Sequence, residues 1–177
     1  MAHEMTSITI DRYDLELLAA LQEDGHATNA AIGQKIHLSA SQVSRRIQYL
    51  EESHVIARYA AVLNPEILGL GVMAYTFVTI ERQSEQGHLF EQAVRDVAPV
   101  LECHSVSGEA DYILRIAAPD LGAFSEFMSN QLLRLPGVAN VKSIITLKTI
   151  KPASPLPLDH LTQPTKVKRQ VSFAPGR

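Results

Sequence analysis

Residues 100–117 read VLECHSVSGEADYILRIA. Residues 100–106 are a β-rich run and 107–110 a Ser-Gly-Glu-Ala turn. In 111–117, Tyr112, Leu114 and Ile116 alternate with Ile113 and Arg115. Alternation on both sides of a glycine turn predicts two adjacent strands. Outward from this pair the period changes. Before it, Phe90, Val94 and Val97 recur at helical spacing over 89–97. Further back, 72–80 is a strand carrying Val72, Tyr75, Phe77, Val78 and Ile80. After the pair, Pro119-Asp120 opens a helix that buries Leu121, Phe124, Phe127 and Met128. Leu135-Pro136-Gly137 stops it, and 138–150 reads as a fourth strand. The order β-α-β-β-α-β predicts a ferredoxin-like domain: one antiparallel sheet with two helices on one face. The other face is rich in Val, Ile and Tyr and has no cover, which predicts a homodimer.

The first 64 residues have a different period. Asp11 can cap a helix in which Tyr13, Leu17, Leu18 and Leu21 recur, with Asp14 in its first turn and Gly25 as a left-handed end. Thr28 or Asn29 starts a second helix, 30–36. His37-Leu38 is a tight connection, and Ser39 or Ser41 caps a third helix that runs to about residue 53. Val43, Ile47 and Leu50 face inward there, leaving Gln42, Arg45, Arg46, Gln48 and Tyr49 outside. Residues 55–63 read as a short strand. Two short helices joined by a tight turn can form a helix-turn-helix. The outer face of its second helix must offer donors and positive charge to DNA. Ser39, Ser41, Gln42, Ser44, Arg45, Arg46 and Gln48 do so, and no acidic residue precedes Glu51. Pattern alone weighs equally for an ordinary amphipathic surface helix. The whole predicts an α+β protein: a winged-type helix-turn-helix domain, 1–64, then a ferredoxin-like domain, 65–151. Asn64-Pro65 and Gly69-Leu70-Gly71 mark the linker.

Charge separates a third region. The chain has 177 residues with formal charge −3, yet 152–177 carries four basic side chains against one acidic. That stretch holds five of the nine prolines, so it reads as an extended or disordered tail, with Lys166, Lys168 and Arg169 able to contact phosphates. Apolar residues make up 46%, enough for packed cores. The single cysteine, Cys103, excludes an intramolecular disulfide framework and suits a reducing compartment. No apolar run approaches the length of a membrane span, and residues 1–10 lack the pattern of a secretion signal. The expected location is the cytoplasm.

Several segments together resemble the leucine-responsive regulatory protein / AsnC family of transcription regulators. Leu38-Ser39 with Arg46, Ile47, Leu50 and Glu51 is similar to its recognition-helix signature, in which the resemblance implies that the Arg either reads bases or partly braces the helix. Ile56, Tyr59, Ala61, Leu63, Asn64 and Pro65 resemble the exit from its DNA domain. Glu102-Cys103-His104, Val106-Ser107-Gly108-Glu109, Asp111-Tyr112 and Leu114 resemble two sensor strands. Leu135-Pro136-Gly137-Val138 resembles the entry to the last strand. The resemblance covers residues 10–151. It implies dimers through the sensor sheets, octamers of four dimers, double-stranded promoter DNA as partner, and an amino acid or related small molecule as effector near the turn. His37 and His54 stand where the family often has Gly, at helix ends that favour a left-handed residue. His26 replaces an Arg common in the family after the first helix.

The turn's own chemistry fits such an effector. Gly108 permits a backbone shape closed to other residues. Exposed amides of Glu109 and Ala110 can hold a carboxylate, and Asp111 suits an ammonium group. By resemblance, Ser143 adds a hydroxyl. The competing reading is that Gly108 and Asp111 only make and stabilise the hairpin. No cofactor or metal is expected: Cys103 and His104 are adjacent on a strand and point to opposite faces. No phosphate loop, Gly-x-Ser-x-Gly or His-Glu-x-x-His is present. A small amino-acid-metabolising enzyme is therefore disfavoured for want of a nucleophile-base set. An architectural DNA-binding protein without an effector is the nearer alternative.

Overall fold

The structure is a computed structural model and describes residues 8–81, 86–163 and 171–174. The elements are β1 (Ile8–Ile10), α1 (Arg12–Glu23), α2 (Asn29–Ile36), α3 (Ala40–Glu52), β2 (Val72–Ile80), α4 (Gln86–Val94), β3 (Val100–Ser105), β4 (Tyr112–Ala118), α5 (Leu121–Asn130), β5 (Val138–Ile145) and β6 (Val171–Phe173). They fall into two compact units: Met1–Ala61 with Lys151–Arg177, and Val62–Ile150. Among the described residues, no helix is long and apolar enough to cross a membrane.

In the first unit, local chemistry sets every helix start. Asp11 caps α1 and accepts the Asp14 N–H at 3.0 Å, while the Asp14 carboxylate accepts the Asp11 N–H at 2.9 Å. This reciprocal pair satisfies two otherwise orphaned donors. Thr28 caps α2 and Ser39 caps α3. Between α2 and α3 the chain turns on His37, which is left-handed at φ 59°, and His54 after α3 is left-handed at φ 58°. A β-carbon on Gly33 would lie against the Leu38 carbonyl, well inside contact distance. The turn therefore needs a glycine one helical turn earlier than the residues that make it. Ile10, Leu17, Ile32, Ile36, Val43 and Leu50 form the core.

Three expectations for this unit fail. Gly25 has no positive φ; α1 ends at Glu23 with Asp24 extended as its cap, so the helix stops without a left-handed residue. Residues 55–63 form no strand, because no described residue pairs with them; Val62 is 99% exposed. The tail is not simply a free end. Its strand β6 pairs in parallel with β1, and Leu161 and Val171 pack on the core. Apolar residues between the prolines outweigh the tail's overall composition. Lys166, Lys168 and Arg169 lie outside the described residues.

The second unit is the ferredoxin-like sheet, in the order β3-β4-β2-β5 with every neighbour antiparallel. Along β2, Val72, Ala74, Thr76, Val78 and Ile80 are buried beneath the helices. Met73, Tyr75, Phe77 and Thr79 therefore point to the opposite face. Phe90 and Val94 of α4, with Phe124 and Phe127 of α5, close the core. α4 stops at Val94 rather than 97, ahead of Pro99, which disfavours helix before it. β5 stops at Ile145 rather than 150. On the uncovered face, Tyr75 pairs with Ile144, and they are 44% and 53% exposed.

Candidate functional site

The recognition-type helix α3 is held by Val43 and Leu50, both fully buried. Its N-terminus is closed by a second capping box: the Ser39 hydroxyl accepts the Gln42 N–H at 3.3 Å, and the Gln42 carbonyl accepts the Ser39 N–H at 2.9 Å. Ser39 and Ser41 hydroxyls lie 3.1 Å apart. Ser41, Gln42, Ser44, Arg45 and Gln48 come together on one side of α3, with Arg45 and Ser44 exposed. Gln48 donates to Glu52 at 2.8 Å. Among the described residues, Arg45 makes no ion pair.

Arg46 separates from this set. Its guanidinium donates to Asp14 at 2.7 Å and to both Asp11 oxygens at 3.0 and 2.9 Å. It also lies 5.4 Å from the Tyr13 ring centroid. Burial alone would raise the Asp11 pKa, but the Asp14 amide and Arg46 outweigh it and hold the carboxyl below its ordinary value. Burial alone would lower the Arg46 pKa, and the two aspartates reverse that too. The sequence grouped Arg46 with the DNA contacts, with bracing of the helix as the alternative implied by the resemblance; the structure turns its charge inward, onto α1.

In the sensor unit, the turn after β3 stands beside a cavity of about 480 Å³. Its walls include Ser107, Glu109 and Ala110 from the turn, Phe77 and Thr79 from β2, and Asn140, Lys142 and Ile144 from β5. This size suits a small metabolite. Gly108 has φ 135°, so the turn does require glycine. Gly108 itself, Asp111 and Ser143 are not in the wall. The Asp111 carboxylate accepts the Ile80 N–H at 2.8 Å, where β2 is irregular at Thr79/Ile80. Its backbone N–H donates to the Val78 carbonyl at 3.0 Å. Ser143 points to the helix side, where its hydroxyl meets buried Thr76 at 2.8 Å. Both expected effector contacts are thus occupied in holding the sheet.

Sequence reasoning missed Asn140, Lys142 and Phe77. Their signal was the alternation of the first and last strands, but only the register, Thr79 opposite Asn140 and Phe77 opposite Lys142, brings them together. Cys103 packs toward the helices, and burial, with Glu91 nearby, pushes its thiol pKa up. His104 lies on the other face, 3.6 Å from Glu102.

Comparison with known proteins agrees with this two-part geometry. Residues 10–51 match the AsnC-type helix-turn-helix domain, and 73–156 match the Lrp/AsnC ligand binding domain. A Bkd operon transcriptional regulator of Pseudomonas aeruginosa is 37% identical over 84% of this chain and 98% of its own. The leucine-responsive regulatory protein of Escherichia coli is 33% identical over 83% of this chain and 90% of its own. A solved transcriptional regulator of Neisseria meningitidis in complex with L-methionine superposes with TM-score 0.83 at 38% identity, covering 86% of this chain and 99% of its own. With both units matched, in order and nearly end to end in these relatives, the chain belongs to the Lrp/AsnC family of transcriptional regulators.

Proposed function

We propose that this protein reads promoter DNA with the outer face of α3 and adjusts that binding to an amino acid held beside the turn 107–110. Residues 1–64, with the returning tail, serve DNA, and 65–151 serve the effector and assembly. Ser41, Ser44, Arg45 and Gln48 reach bases and phosphates, Ser39 and Gln42 present the helix N-terminus, and Arg46 fixes the helix beneath them.

The observation that carries the effector reading is the cavity's composition. It has one cation, Lys142, and one anion, Glu109, neither in an ion pair among the described residues, with Phe77, Val106 and Ile144 as apolar wall. A zwitterion with an apolar side chain satisfies all three, its carboxylate toward Lys142 and its ammonium toward Glu109. A relative was solved with L-methionine, which has that chemistry.

The same residues lie on the uncovered sheet face around Tyr75 and Ile144. A second copy packed there forms the homodimer, and four such dimers form the octamer. Ligand occupancy is then linked to assembly, since a ligand favours whichever state binds it more tightly. This reading involves no catalysis and places the protein with the DNA in the cytoplasm.

The test is fluorescence anisotropy on the protein's own promoter DNA, with and without each amino acid, alongside light scattering. A shift in DNA affinity with at least one amino acid, from a dimer or larger species, is expected. DNA binding indifferent to every amino acid would favour an architectural protein, and a monomer would remove the dimer.

A further inference from the structure

Both matched family domains end by residue 156. From that last matched residue onward, the chain nevertheless engages the DNA-binding unit at several described points. Gln22 of α1 binds Leu156 in both directions: its amide N–H₂ donates to the Leu156 carbonyl at 3.3 Å, and the Leu156 N–H donates to its carbonyl at 2.6 Å. Leu161 packs against the core. β6 then runs parallel to β1, matching Ile8 with Val171, Thr9 with Ser172 and Ile10 with Phe173. The Ala174 N–H donates to the Ile10 carbonyl at 2.8 Å.

β1 is also tied to the recognition helix. The Tyr49 hydroxyl, on α3, donates to the Thr9 carbonyl at 3.1 Å. Ile10, 1% exposed, leads directly into Asp11, which receives Arg46 from α3. The strand the tail pairs with thus holds α3 directly at Thr9 and, through the residue that follows it, at Asp11.

We infer that the described residues 156–163 and 171–174 act as a strap that docks along α1 and β1 and holds α3 in its reading orientation. Operator recognition by this chain therefore depends on residues outside its family domains. A three-residue, two-stranded ladder is marginal alone, so the strap's hold comes from the side chains it buries. With the strap off, β1 loses its only described ladder partner, and Asp11 loses the strand that positions it. Base contacts need closely placed side chains, whereas phosphate contacts tolerate displacement. Loss of the strap should thus reduce discrimination between operator and random DNA more than it reduces binding to random DNA.

This inference rests on the DNA-binding role of α3, and the test separates the two. The probe is promoter DNA against random duplex, with full-length L161D/V171D, which keeps every basic residue of the tail. We expect about tenfold weaker operator binding, a smaller operator-to-random ratio, an unchanged salt slope and unchanged oligomer size. An unchanged ratio overturns the strap, and a reduced salt slope overturns positioning in favour of a phosphate contact. If wild type shows no operator preference, the α3 reading fails instead. Hydrogen exchange on wild type covers the case in which the variant unfolds. Added operator should slow exchange at residues 8–10 and 171–174, and unchanged exchange there overturns the inference.

Discussion

The Arg46 guanidinium meets the Asp14 carboxylate at 2.7 Å, joining the middle of α3 to the first turn of α1. Asp14 is 4% exposed, so its carboxylate is served by protein donors, Arg46 and the Asp11 N–H, rather than by solvent.

Arg46→Met should therefore act through stability. Removing one member of a mostly buried pair leaves an uncompensated carboxylate, and about 2–4 kcal/mol of the first unit's stability is expected to go. Thermal melts check this. A loss of operator affinity at 15 °C with an unchanged melting temperature would return Arg46 to the DNA contacts.

Acid should act on the same joint. The folded-state pKa of Asp11 lies below its ordinary 3.8, so its contribution is present above that value and is lost as pH falls through the folded pKa. The first unit should thus destabilise below about pH 4. Arg46→Met should lose stability less steeply there, since one of the interactions depressing that pKa is gone. Parallel acid slopes in the two proteins would mean that the pair does not set the titration.

Arg45→Ala should show the opposite signature to Arg46→Met. Arg45 is exposed and unpaired among the described residues, so folding should change by less than about 0.5 kcal/mol. DNA affinity should fall by about 1–3 kcal/mol if Arg45 reads a base, or uniformly across sequences with a salt slope smaller by about one if it holds a phosphate. Unchanged binding would move the interface off this face.

Adjacent positions 45 and 46 show where sequence stops being legible. Both arginines fall outside the Val43-Ile47-Leu50 stripe, and helical period distinguishes inside from outside but not DNA from a neighbouring helix. The capping residues were readable because each acts within three residues of itself: Asp11 outright, and Thr28 and Ser39 as one of two candidates each, beside Asn29 and Ser41. The α+β order was readable for the same reason, through local periods and turns. Ser143 was assigned by resemblance alone; its place opposite Thr76 follows from the register of β5 against β2, a non-local quantity. Gly33 gave no signal, since its reason is the carbonyl of Leu38, five residues on.

Gly33→Ala should thus be costly at a site that looks permissive, inside a helix where alanine is normally the better residue. The added methyl group meets backbone, which cannot swing aside, so α2 and α3 must separate. A loss of about 1–3 kcal/mol is expected, with operator affinity falling alongside. A melt equal to or above wild type would show that the turn can yield.

The effector cavity separates a ligand contact from a sheet fastener. Lys142 faces the cavity from β5 and has no ion pair among the described residues. A charge-assisted bond to a carboxylate contributes about 1.5–3 kcal/mol, so Lys142→Met should weaken amino-acid binding by roughly tenfold or more with little change in the melt. Asp111 should behave differently. Asp111→Asn keeps a carbonyl to accept the Ile80 N–H, so effector affinity should stay near wild type. Asp111→Ala leaves that amide unpaired and should cost the sensor unit about 1–2 kcal/mol. Calorimetry with L-methionine as probe distinguishes the roles. If Asp111→Asn abolishes binding while Lys142→Met retains it, the ammonium group sits on Asp111 and the ligand lies on the hairpin rather than in the cavity.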